Sequence, residues 1–299
     1  MTTIMINGIK LLLILLLITA LNGQSLIKNK NVSLNIPDRQ TSALSGSQFA
    51  KQVTGLNLSE REDAVIHEIM SGNIPSFSRT FKPCSIKATI DKKDYELIIN
   101  VSCDYLAIGS DKDYLYIPLT SYTAQIVADT LNCILPSKLL VDSIYAQAEI
   151  KLHPQPIPPS EKMTTVPVFL QHMDSAMQQI GSRNINRNDR KIIAGHKKDI
   201  IISNKIYNIE KKYNRVVIYG WHKALNDPIQ PVYNGHNSSW ADYSHGVRLI
   251  SKHAFLNRQP ISLEEIYKDP ILSILISNEG PILKPHYPKT DHPYLPDSN

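Results

Sequence analysis

The chain has 299 residues, a formal charge of +5, 42% hydrophobic residues and 20% charged ones. Three cysteines are too few for a disulfide scaffold, and basic residues scattered without a Lys/Arg block exclude the electrostatic footprint of a nucleic-acid binder. Beyond the first two dozen residues no apolar run approaches the roughly 20 residues that a membrane-spanning helix needs.

The N-terminus reads as a secretory leader over 1–23. Lys10 carries its positive charge, LLLILLLITAL at 11–21 is its apolar stretch, and Ala20 and Gly23 are small residues at its exit. An eleven-residue stretch is short for a membrane anchor, the competing reading. The chain is therefore expected to be secreted or periplasmic. Residues 24–57 are polar and without period, and are expected to form a flexible lead-in. The remaining chain to 285 is long enough to bury one sizeable core, and 286–299 form a Pro-rich tail.

Within 58–285, Ser59 and Glu62 have capping-box spacing ahead of Val65, Ile66, Ile69 and Met70, so a helix is expected over 60–71. Alternation at Ile86, Ala88 and Ile90, then at Leu97, Ile99 and Val101, predicts a hairpin turning near Lys92-Lys93. Cys84 and Cys103 flank it and could meet in an oxidising compartment, while Cys133 reads as a buried thiol. Two further strands are expected around the turn 109–112, with Asp104, Asp111 and Asp113 as solvated turn acids. Helices follow over 121–132 and 137–148. HPQPIPPS at 153–160, with four prolines, reads as an extended strap laid over the domain. A helix over 168–180 leads to the polar loop GSRNINRNDR, then to short strands, and to a last helical piece over 262–275 broken at Pro270. The order argues for an α+β fold: one mixed domain of short strands, several helices and a Pro-rich strap.

Four histidines crowd the last third in AGHKKD, YGWHK, YNGHNSSW and DYSHG. His196, His222, His236 and His245 are expected at strand ends, beside Asp199, Asp242, Tyr243 and Arg248. Imidazole supplies an acid, a base or a metal ligand near neutral pH. Asp199 or Asp242 would orient or ligate, Tyr243 would donate a proton, and Arg248 would hold an anion. One chemistry this inventory fits is a zinc hydrolase. A metal-free β-elimination of uronic-acid glycans is another. Nucleophilic catalysis ranks last, since no G-x-S-x-G elbow is present. Trp221 and Trp240 are candidates for stacking on sugar rings.

The strings Asp104-Tyr105, HPQPIPPS, MTTVPVF, GHKKDI, YGWH, PIQPVYNGH and DYSHGVRL resemble a family of exported, uncharacterised bacterial proteins, which brings no activity with it. Asp242-Tyr243-Ser244-His245 is also similar to the acid-x-x-His segment of zinc peptidases that cut bacterial cell-wall peptides. That resemblance implies Asp242 as general base and His245 as a zinc ligand, with His196 and Asp199 completing the site. Those two stand three residues apart, against seven in the peptidases. The sequence thus points to a secreted hydrolase acting on an envelope or extracellular polymer, peptidoglycan or polysaccharide. The alternatives are a secreted glycan-binding or envelope-structural protein, or a polysaccharide lyase.

Overall fold

A long hairpin organises the larger sheet. In the computed structural model, which describes residues 33–207 and 214–289, β1 (Phe81–Ile90) pairs antiparallel with β2 (Lys93–Ser102) along its whole length. The two loop residues, Asp91 and Lys92, both have positive φ, the geometry whose twist matches that of a tight hairpin. The turn thus falls one residue before the expected place. Leu97, Ile99 and Val101 are the buried row of β2. Its second edge takes β13 (His253–Leu256) at Leu97–Ile98 and β12 (Ile250–Ser251) at Val101. β14 (Gln259–Ser262) and β5 (Cys133–Ile134) complete this six-stranded sheet.

A second sheet runs β10 (Asp227–Tyr233), β9 (Ile218–Ala224), β8 (Lys198–Ile200), β11 (His245–Gly246). β8 is antiparallel to β9 and parallel to β11. Two small pairs lie beside the sheets. The hairpin β3 (Ala107–Gly109) and β4 (Tyr114–Tyr116) forms where expected, and β6 (Ile150–Lys151) is parallel to β7 (Ile193–Ala194). The architecture is the expected mixed α+β domain.

Order begins before Leu58. Ser45 and Gln48 form a capping box on α1 (Gly46–Val53), which buries Phe49, Ala50 and Val53. The stretch 33–57 is therefore not a flexible lead-in. Helix α2 (Leu58–Met70) follows, capped by Asn57 with Glu60 instead of Ser59 with Glu62. Glu62 has another use: its buried carboxylate accepts hydrogen bonds from the Thr120 N–H and hydroxyl, tying α2 to the start of α4. The four-residue α3 (Ser76–Arg79) precedes β1, and α4 (Ser121–Thr130) and α5 (Lys138–Gln147) lie close to the predicted bounds.

The proline segment has no regular structure and is held from both sides. The Gln179 side chain, on α6 (Val166–Ser182), bonds the backbone N–H and C=O of His153, and the Tyr243 hydroxyl does the same for Ile157. It is a strap over the domain. The last helical piece is α7 (Leu263–Lys268), capped by Ser262, and a 3₁₀ turn at Leu272–Leu275 after Pro270. The stretch expected as a tail enters the core: Tyr287 is fully buried, accepting from Val217 N–H and donating to Ile201 C=O. The expected leader, residues 24–32 and the tail from 290 lie outside the described residues. Among the described residues no helix is long and apolar enough to cross a membrane.

Candidate functional site

The segment GHKKD threads the centre of the molecule. Gly195 has φ of +105°, and a Cβ there would stand 2.5 Å from the Leu152 carbonyl oxygen, so only glycine passes between β6 and the following turn. His196 and Lys197 come next, fully enclosed, and β8 then sends Lys198 and Asp199 to opposite faces of its sheet, as a strand must. On β9, Gly220 and Trp221 both have positive φ. This kink breaks the alternation of the strand and brings the His222 ring beside the bare side of Gly220. A Cβ on Gly220 would lie 3.5 Å from Asp199 Oδ2 and 3.6 Å from His222 Cε1.

Three of the expected residues, Asp199, His222 and Arg248, therefore line one cavity with Tyr105 and Tyr145. Its free volume of ≈ 10 Å³ has room for about one water. Burial pushes the Asp199 carboxyl up to about 6, while its Oδ2 accepts a 2.8 Å hydrogen bond from the Tyr105 hydroxyl. His222 lies flat on Tyr145, with ring centroids 4.5 Å apart and planes 19° apart. Its Nε2 sits 3.1 Å from Asp142 Oδ1. Asp142, on α5, also accepts from Tyr219 and pairs with Lys138 at 2.6 Å. Burial works to raise its carboxyl, but those partners together hold it below the ordinary range. Arg248 donates to the carbonyls of Ser102 and Ile193 and lies 4.2 Å over the Tyr105 ring. It is a fixed positive charge at the cavity wall.

His245 and Asp242 form a second group around β11. His245 Nε2 is 3.8 Å from Asp242 Oδ2, and burial pushes the imidazole down to about 4. Burial would raise the Asp242 carboxyl, yet His245 and Lys198 hold it well below its ordinary value. Its oxygens accept from Ser244 N–H, from the Ser244 hydroxyl and from Trp240 Nε1–H. His236 stacks on Trp240 at 5.0 Å and is half-buried. Lys197 donates to the Tyr243 carbonyl at 2.7 Å and stands 3.3 Å from His172 Nδ1, and burial pushes its ammonium down to about 7. The Tyr243 hydroxyl, expected as a proton donor, is taken up by the strap.

His196 forms the third group, with Asp104 at 3.9 Å and the Tyr105 and Tyr116 rings each 5.1 Å away. Asp104 is buried, where a solvated turn acid was expected. Its Oδ2 accepts 2.5 Å from the Tyr116 hydroxyl and lies 2.7 Å from Arg187 Nη2. Burial opposes its ionisation, but Arg187, His196 and Arg248 outweigh that and hold the carboxyl below the usual range.

Three of the four imidazoles thus take three different carboxylates, Asp104, Asp142 and Asp242. The residues expected to hold zinc, His196, Asp199 and His245, fall one into each group. Among the described residues no three His, Cys, Asp or Glu side chains gather as a metal-holding group. Trp221, expected to stack on sugar, is buried at 4% exposure with its Nε1–H on the His196 carbonyl. Cys84, Cys103 and Cys133 are free, and burial pushes their thiols up to about 11, 11 and 12. Sequence reasoning passed over Asp142, Arg187 and His172, read Tyr145 only as part of a helix's buried stripe, and took Lys197 only as a neighbour of the histidines able to bind an anion. It noted Asp104-Tyr105 as a distinctive pair, but read Asp104 as a solvated turn acid and gave Tyr105 no role. Comparison with family models, curated proteins and solved structures gives no match.

Proposed function

We propose that this chain is an exported acid–base hydrolase acting on an extracellular or envelope polymer, most simply peptidoglycan. One observation carries the reading: a water-sized cavity holds a carboxyl with a raised pKa on one side and a carboxylate-oriented imidazole on the other. A carboxyl held protonated beside an imidazole that a second carboxylate orients supplies a proton donor and a hydrogen-bonded base in one place. Asp142 fixes His222 through Nε2, which leaves Nδ1 to take a proton from a water in the cavity. Asp199, neutral below about pH 6, gives its proton to the leaving group. Arg248 stabilises the negative charge that develops between them. The extracellular polymer as substrate rests on the leader-like N-terminus and on the exported family that the sequence resembles.

Purified chain incubated with peptidoglycan and with anionic polysaccharides should release new amino groups or reducing ends, with bound metal measured on the same sample. Turnover should fall by about 10²-fold or more in His222→Ala and in Asp199→Asn, and the wild-type rate should decline as pH rises through about 6. Release unchanged in both variants would overturn the assignment of the centre. Absorbance from an unsaturated product would instead indicate a lyase. A second reading, a glycan-binding protein, is favoured by the half-exposed Trp240–His236 stack with Tyr233 edge-on beside it. Retention of a polymer without turnover, abolished in Trp240→Ala, would support it.

A further inference from the structure

The loop between α6 and β7 is polar and mostly exposed, and its 3₁₀ turn Arg187–Asp189 contains no buried residue. One side chain leaves this exposed loop and enters the protein. The Arg187 side chain is only 11% exposed, and its guanidinium carbon lies 3.6 Å from the Phe77 ring centroid and 5.4 Å from that of Tyr114. Phe77 and Tyr114 meet edge-on at 4.8 Å, and Tyr114 and Tyr116 at 5.3 Å. Two ring faces, of Phe77 and Tyr114, wall the guanidinium, and Asp104, held by the Tyr116 hydroxyl, is the floor. Ring faces and a carboxylate together are the chemistry that selects an organic cation.

The fit of Arg187 between these walls is incomplete. Its Nε is buried without a hydrogen-bond partner, and only Nη2 is held, by the 2.7 Å ion pair to Asp104. A guanidinium with a permanent structural place ordinarily satisfies its donors. Behind Asp104, both ring nitrogens of fully buried His196 are also unpartnered. The loop closes on itself, with Asn186 bonding Asp189 and Asn188. Arg187 anchors the turn to the interior together with the buried Cys103 thiol, which donates to the Arg190 carbonyl, and with Ile185, which packs on Leu152, Ile180 and Ile193.

We infer that Phe77, Tyr114, Tyr116 and Asp104 form a binding site for an ammonium or guanidinium group of an incoming molecule, which Arg187 fills until that group displaces it. The site shares no lining residue with the Asp199–His222 cavity, although Asp104 adjoins its wall residue Tyr105, and a negative result with methylguanidinium bears on Arg187 and its rings, not on the acid–base pair. Methylguanidinium is the probe, its binding followed by calorimetry at constant ionic strength. Arg187→Ala should bind it about tenfold more tightly than the wild type, which must first give up its own guanidinium. Asp104→Asn added to that variant should abolish binding. In the wild-type protein, saturating methylguanidinium should speed subtilisin cleavage within 183–190, a protease that does not bind guanidinium, since displacement frees the loop. No binding by folded Arg187→Ala would overturn the inference. If that variant does not fold, the wild-type cleavage rate decides alone, and a rate unchanged by the probe sinks the idea.

Discussion

At the scale of single residues, Asp199 carries a cost that its environment does not remove. It is enclosed, has one short hydrogen bond from Tyr105, and burial pushes it up to about 6 from the ordinary 3.8. With the folded value above the unfolded one, the native state holds the extra proton between those two values. The favourable contribution is complete below pH 3.8 and is lost as pH rises through about 6. At neutral pH the ionised carboxylate then costs on the order of 3 kcal/mol. Asp199→Asn is therefore expected to raise stability by about 1–3 kcal/mol at neutral pH while removing turnover. Urea unfolding at pH 7.5 and pH 4 checks this, because the gain should vanish at the lower pH; an equal gain at both would mean Asp199 is not strained. The same residue marks how far the site could be read from sequence. Asp199, His222 and Arg248 were legible as polar groups crowding the last third, and they do meet, though Asp199 and His222 lie inside β8 and β9, not at strand ends. Asp142 was not, because its link to His222 spans 80 residues and nothing local in α5 announces it. Arg187 was hidden by its neighbours, since a polar loop gives no sign that one side chain turns inward. His196 and His245 were expected to work together, but each found its own carboxylate.

At the scale of elements, close backbone approach decides more than composition does. α1 docks on the β3–β4 hairpin through Gly46, whose N–H donates to the Asp113 carbonyl, while Ser47 bonds the Asp113 side chain. A Cβ on Gly46 would lie 2.3 Å from the Tyr114 carbonyl carbon and 2.6 Å from Leu115 N, backbone atoms that cannot rotate away. Gly46→Ala should cost about 2 kcal/mol by overpacking and lower amide-exchange protection across α1. Gly181→Ala, in α6, meets nothing within 4 Å and should gain up to about 1 kcal/mol from helix propensity. Equal effects of the two changes would show that the contact with the hairpin is not what holds α1. This contact also explains why α1 escaped the sequence reading. Two turns with Phe49, Ala50 and Val53 offer too little period to stand out from a polar stretch. Longer signals succeeded: the alternation of β1 and β2, the stripes of α4 to α6, and the break at Pro270. What stayed illegible was the pairing of two-residue strands such as β5, β11 and β12, whose partners are set by tertiary contacts alone. The capping of α2 shows a different limit, because Asn57-Glu60 and Ser59-Glu62 have the same spacing. The tertiary bond from Thr120 to Glu62 decided between them.

Across the whole molecule, the interior holds bases that are kept uncharged. His172, His196 and His245 are fully buried, the last two with both ring nitrogens unpartnered and His172 with its Nε2 so. Burial pushes His196 down to about 3 and His245 to about 4, with His172 further down, all from an ordinary 6.5. Lys197 is pushed down to about 7 from 10.5 by the same cause. Each is a base whose folded value lies below its unfolded one. The unfolded chain therefore binds protons that the native state refuses, and stability falls as pH drops through these windows. For Lys197 the window is 10.5 down to about 7, and for the histidines it is 6.5 down to about 4 and beyond. Asp199 runs the other way between 3.8 and about 6, and burial raises the Glu62 carboxyl too, two carboxyls against three imidazoles and a lysine. A tenfold difference in proton affinity between the folded and unfolded states is worth about 1.4 kcal/mol, so the bases dominate. Unfolding free energy should therefore climb from acid to mildly alkaline pH, with steep loss below pH 6.5. Lys197→Met should flatten the limb above pH 7 and leave the acid limb in place, because the methionine has no proton to lose. Denaturant titrations at a series of pH values read both limbs in wild type and variant. A stability profile level from pH 4 to 6.5, or an alkaline limb that survives Lys197→Met, would mean that these groups are not buried in their neutral forms.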